Sequence, residues 1–143
     1  MAITTSAITS SFKRQLLGGD HDIAASGDTL KLTLYTDSSV IGPGLASYTT
    51  SGEVGNSGDY TAGGKTLAGQ TTSLSGTTAI ADFTDLSYLT ATISAMGALI
   101  YNSSKTNKSI AVLDFSTVKT STAGTFTIQF PNYTDTLAII RLA

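Results

Sequence analysis

The chain has no cysteine and no tryptophan, only two prolines, a single histidine and a single glutamate. Without cysteine there is no disulfide framework, no thiol nucleophile and no thiolate metal site. With one histidine, a zinc site of the usual kind lacks its N and S ligands. Charged residues make up 13 % of the chain, against roughly 25 % in an average globular domain. Eight basic residues face ten acidic ones, for a net charge of −2. That balance offers no broad attraction to DNA, RNA or an anionic membrane. No apolar run is long enough to span a bilayer. In "MAITTSAITSSFKRQLLGG" the charges follow the mildly apolar part, whereas a signal peptide carries them first. No cleaved leader is expected, so the Asn-X-Ser/Thr matches at Asn102, Asn107 and Asn132 carry no weight as glycosylation sites.

Serine, threonine and glycine supply what the charged residues do not. Threonine favours strands because its β-branch fits a pleated surface. At 143 residues the chain suits one domain with a core that needs no staples. The composition predicts an all-β fold with many turns.

Along the chain, residues 1–9 are small and polar and read as a flexible arm. "SSFKRQLLGG" reads as one short helix, capped by Ser10 or Ser11, with Phe12 and Leu16 on one face and Gly18 ending it in a left-handed conformation. Lys13 and Arg14 flank that stripe, and a helix this short must dock on the body or on a neighbour. From residue 29 the period becomes two. Leu30, Leu32 and Leu34 alternate with Lys31, Thr33 and Tyr35, as in a half-buried strand. Residues 37–62 read as a long, functional or mobile loop with a short strand near Ala46–Thr50. Further strands are expected near Lys65–Leu74, Ala79–Phe83, Leu89–Ser94, Ala98–Tyr101, Ser109–Phe115, Thr125–Phe130 and Leu137–Leu142. Gly76, Gly97, Gly124 and "NSSKTNKS" punctuate them. The runs "SIAVLDF" and "TLAIIRL" suit central strands, while "TFTIQF" points Phe126, Ile128 and Phe130 inward. Seven or eight short strands fit a single-domain β-sandwich or jelly roll over residues 18–143, preceded by an arm and helix over 1–17.

Chemical motifs are sparse. "GDYTAGGKTL" ends like a phosphate-binding P-loop, but the position of that motif's first glycine holds Asp59, and "LAGQTTSLSG" is a poor helix to follow it. Gly63-Gly64 reads instead as a turn into a strand. His21, between Asp20 and Asp22, has the residue types of a general base and its orienting carboxylate. No Gly-X-Ser-X-Gly elbow accompanies it, and a solvated turn is the simpler reading. Asp82 and Asp85 have no calcium-loop spacing, and the remaining aspartates read as turn formers. Glu53 reads as the polar tip of the long loop. The tyrosines, Tyr48 and Tyr60 among them, are expected at core edges and contact surfaces, where a rigid amphipathic ring is favoured.

Several blocks in order, "FKRQLLGGDHDI", "DTLKLTLYTDSSVIGPGLASYTTSGEV", "GDYTAGGKTL", "ALIYNSSKTNKSIAVLDF", "KTSTAGTFTIQFP" and "AIIRLA", resemble a family of small structural proteins of tailed bacteriophages. The resemblance covers roughly residues 12–143. It implies a virion component without enzymatic activity or cofactor, in the role of a capsid cement or decoration protein. Such a protein is made in the bacterial host cytoplasm and sits on the capsid exterior. It bridges subunits of the major capsid protein as a homo-oligomer, dimer or trimer, with no direct contact to nucleic acid or membrane. A tail or head-fibre component with an adhesin role is the alternative. The expected partner contacts are Phe12, Lys13, Arg14, Leu16, Leu17, Tyr48 and Tyr60.

Overall fold

The computed structural model describes residues 6–36 and 41–143. The chain is mostly strand, in two antiparallel sheets with one short helix and no barrel. The larger sheet has the order β1-β7-β6-β2-β3: β1 (Ala7–Ile8), β7 (Lys108–Ile128), β6 (Leu86–Asn102), β2 (Leu30–Tyr35) and β3 (Lys65–Thr66). The smaller has the order β4-β5-β8: β4 (Thr71–Ser75), β5 (Thr78–Asp82) and β8 (Ile140–Leu142).

The described residues form eight strands, within the expected number, but two are far longer than the glycines suggest. Segments expected as four short strands merge into β6, of 17 residues, and β7, of 21. Gly97 pairs with both Tyr35 and Asp114, and Gly124 pairs with Ala91, so both lie inside strands. They fall beside register shifts, where Thr90, Ser116 and Ala123 take positive φ values. A bulge bends and twists a strand without ending it. In the opposite sense, the expected strand Lys65–Leu74 divides. Lys65–Thr66 pairs with β2, Leu67 donates its N–H to Leu30, and Thr71 onward pairs with β5 in the other sheet. "TLAIIRL" supplies β8, a margin of the small sheet and not a central strand. "TFTIQF" orients as expected, with Phe126 and Ile128 buried and Phe130 half-buried.

Strand β2 is covered on both faces, not half-buried. Leu30, Leu32 and Leu34 join the main core with Phe12, Phe83, Tyr88, Ile93, Ile100, Ile110 and Ile140. Thr33 and Tyr35 are fully buried on the other face. There Tyr35 packs with Leu99, Tyr101 and Val112 under Ile41, Leu45 and Tyr48 of the long loop. No strand forms at Ala46–Thr50; only Ser47 bridges, to Lys108.

The helix α1 runs Ser10–Leu17. Its N-cap is Thr9, and neither Ser10 nor Ser11. The Thr9 hydroxyl makes no cap bond and donates instead toward the Ser109 and Ile110 carbonyls. Gly18 stays right-handed, and Gly19 at φ +73 is the left-handed residue that closes the helix. Asp20 N–H then reaches the Gln15 carbonyl, in the pattern of a glycine-terminated helix. Phe12 is buried in the core, and burying such a side chain contributes about 1.5–3 kcal/mol. Residues 1–5 of the expected arm lie outside the described residues; of the rest, Ala7 and Ile8 are a strand paired with Val112 and Ala111.

Candidate functional site

Two polar clusters hold irregular chain against the large sheet, and each is built around a residue the composition makes unique. The first centres on Glu53. Its Oε1 accepts from Tyr60 Oη at 2.8 Å and from Gly63 N–H at 2.7 Å; its Oε2 accepts from Tyr48 Oη at 2.6 Å. Tyr60 Oη in turn accepts from Leu34 N–H at 3.0 Å. Around this clasp Tyr101 donates to the Gly63 carbonyl, Tyr35 to the Thr49 carbonyl and Tyr88 to the Leu32 carbonyl. Tyr48 stacks on Tyr101 at 4.9 Å, and Tyr60 meets Tyr88 edge-on at 5.0 Å. Burial pushes the Tyr35 hydroxyl up to about 12 and also raises Tyr48, Tyr60, Tyr88 and Tyr101. The hydroxyls therefore remain donors throughout the neutral range.

This clasp explains the glycine-rich stretch. Gly64 has φ +75, and a Cβ there would collide with the Leu32 carbonyl. Gly63 gives its N–H to Glu53 and its carbonyl to Tyr101. Lys65 is bonded to Asp59 and to the Ser87 carbonyl, and its chain continues as strand β3. The ammonium bond holds the Asp59 carboxyl below the usual carboxylate range.

The second cluster centres on His21, which is half-buried against Phe12, with ring centroids 5.0 Å apart. Its Nε2 donates to Gln15 Oε1 at 2.8 Å, and its Nδ1 accepts from Asn102 Nδ2 at 2.9 Å. The same amide donates to Asp28 Oδ2 at 2.7 Å, and Asn102 Oδ1 accepts from Ser104 N–H. The pattern is complete only for a neutral imidazole with its proton on Nε2. Burial pushes the His21 pKa below its ordinary value, in the same direction. Burial also acts to raise Asp28, but hydrogen bonds from Asp22 N–H and Asn102, with the Lys105 charge, outweigh it and leave that carboxyl lowered. His21 is thus a bonded support for the helix, not a solvated turn residue. Asn102 is fully buried, so its Asn-X-Ser match is closed to modification.

Of the other aspartates, Asp22 shapes its turn by accepting from Ala24 N–H. Asp114 accepts from Ser116 N–H at a bulge inside β7, Asp85 from Phe130 N–H across 45 residues, and Asp82 lies in strand β5. Asp37 lies outside the described residues.

The expected contact residues separate into two groups. Phe12 and Tyr60 are each 1 % exposed, so they stiffen the helix and loop from beneath and offer no surface to a partner. Tyr48 is half-buried and turned onto Tyr101 and Glu53. Lys13 and Arg14 are exposed, Leu16 is half-buried, and Leu17 is 93 % exposed at the end of the anchored helix. Leu16 also lines an apolar cleft of about 350 Å³ with Phe12, Ile23, Ile80 and Ile140. A second groove, of about 380 Å³, runs along β7 between Phe115, Phe126 and Ile128, with Lys119, Thr125 and Gln129 at its sides. Sequence reasoning passed over the Glu53 clasp. Glu53 is not the polar tip of the loop: it is half-buried, with both carboxylate oxygens bonded, and of its tyrosine partners only Tyr48 and Tyr60 lie near it in sequence. No family model, no curated protein and no solved structure matches this chain.

Proposed function

We propose that this chain is a non-enzymatic structural protein of a phage virion, acting as a capsid cement or decoration protein. It would bind the outside of the shell and bridge neighbouring major capsid protein subunits. The observation that carries the reading is the exposed tip of α1. Leu17 stands free on a helix fixed by Phe12 in the core and by the Gln15–His21 bond, with Lys13 and Arg14 beside it. An apolar side chain held rigidly in water, flanked by cations, suits a partner with an apolar recess and acidic rim. The block-by-block likeness to phage structural proteins supplies the setting. Many copies repeated by symmetry turn one modest contact into firm attachment. The two sheets sharing one core are read, more finely, as a β-sandwich of jelly-roll kind. The test is occupancy on purified particles: Leu17→Ser is expected to shed from capsids that retain the wild-type protein, and capsids lacking the protein to burst at lower temperature. Equal occupancy and equal heat resistance would remove the role.

One observation favours a tail or head-fibre adhesin instead. The β7 groove combines an aromatic floor with threonine, glutamine and lysine donors, a lining that suits a sugar ring. Labelled protein found only on tails or fibres would select that reading.

A further inference from the structure

The margins of the two sheets differ in how they are protected. An edge strand exposes a row of unpaired N–H and C=O groups, and natural edges are blunted by charge, proline, bulges or brevity. Strands β1 and β3 are two residues long, and β8 carries Arg141. The outer side of β7 carries Lys119 and the left-handed residues Ser116 and Ala123, which bend it. Strand β4, "TTSLS", has none of these devices. It pairs with β5 from Thr71↔Asp82 to Ser75↔Thr78 without a register shift. Four of its five residues are exposed, and among the described residues no backbone hydrogen bond reaches it beyond its ladder with β5.

We propose that β4 is a homodimerisation edge. Two copies pair Thr71–Ser75 antiparallel about a twofold axis through Ser73, joining two three-stranded sheets into one of six strands. The strand suits itself as partner. Thr71 falls opposite the partner subunit's Ser75, and Thr72 opposite the partner subunit's Leu74. The Thr71–Ser75 pairs, and Ser73 opposite its own copy, set small hydroxyls together, which is favourable, and no charge is set against its own copy. A charged edge would place like charges face to face across the axis; this one carries no charge at all.

The side chains point the same way. Leu74, 72 % exposed, lies opposite Ala79, which lies opposite Leu142, itself 38 % exposed. This apolar row continues the face that Ala81 and Ile140 turn to the core. Across the axis Leu74 reaches the diagonal Leu74 of the partner subunit, within about 7–8 Å. The pairing covers less than the roughly 1,000 Å² of a strong interface, so the free protein equilibrates between monomer and dimer, and copies held close together on a particle are driven to pair. The inference does not depend on the virion role, and its test needs no particle.

Because the chain has no cysteine, Ser73→Cys introduces a single thiol at the axis. Sedimentation of the wild type is expected to show a concentration-dependent dimer. Ser73→Cys should then cross-link to dimer with a short bis-maleimide, while Val118→Cys on outer β7, which keeps the β4 edge, should associate like the wild type without cross-linking. Ser73→Lys and Ser73→Glu should each weaken association by about tenfold or more, and mixing them should restore it. A wild type that stays monomeric to about 1 mM overturns the proposal. So does a dimer that Ser73→Lys leaves intact, or one in which the near-isosteric Ser73→Cys fails to cross-link.

Discussion

The Glu53 clasp and the His21 network do the same mechanical job with opposite chemistry. Each pins irregular chain to the large sheet, one the loop after β2 and the other the turn after α1. The clasp uses an acceptor-only carboxylate ringed by tyrosine hydroxyls and one glycine N–H. Its hydroxyl donors, Tyr48 and Tyr60, lose no proton until strongly alkaline pH, because burial holds them neutral. The network uses a neutral imidazole that must accept from Asn102, and one added proton abolishes that bond. Where a loop must stay in place at any physiological pH, hydroxyl donors are the sturdier choice. Where an imidazole does the holding, the helix it supports inherits a dependence on acid.

The comparison breaks most completely at Gly64. Gly64→Ala forces a side chain into the Leu32 carbonyl at φ +75 and should cost more than about 3 kcal/mol in denaturant unfolding. Gly55→Ala, in the same loop with open space around it, should be nearly silent. Next comes Glu53→Ala, which strands the Gly63 N–H and two hydroxyls and should cost about 2–4 kcal/mol. Hydrogen exchange should then speed up at Val54 and Gly63 while the β6–β7 amides keep their protection. Exchange that rises equally everywhere would mean the clasp is not a local device.

The smallest expected effect sharpens the contrast. His21 has a folded pKa below its unfolded value, so the unfolded chain binds more protons as pH falls below about 6.5. Stability from the neutral imidazole is full above that pH and declines as pH drops toward the folded pKa. The wild-type melting temperature should fall by a few degrees from pH 7 to pH 5, and His21→Gln should flatten that slope. An unchanged slope in the variant would assign the acid response to the carboxylates.

Much of the fold was legible where apolar period and turn chemistry coincide. The shared core face of Leu30, Leu32 and Leu34, the turn at Gly76 and the inward Phe126 and Ile128 stand as read, though the other face of β2 is buried too. The breaks at Gly97 and Gly124 misled, because glycine serves equally at the end of a strand and at a bulge within one. The candidate site was less legible. Phe12 and Leu17 are both apolar residues of one short helix, yet one is buried and the other bare.

By itself the sequence determined the strand-rich character of the molecule, the helix before residue 18 and the lack of thiol chemistry, because these follow from residue type and local spacing. Tertiary structure alone decided that the 41–62 loop covers the second face of β2, that Glu53 gathers tyrosines from separate elements, and that β4 ends a sheet unprotected. Those outcomes depend on which segments meet in space, and a hydrogen bond between residues 53 and 60, or 21 and 102, leaves no period in the chain to announce it.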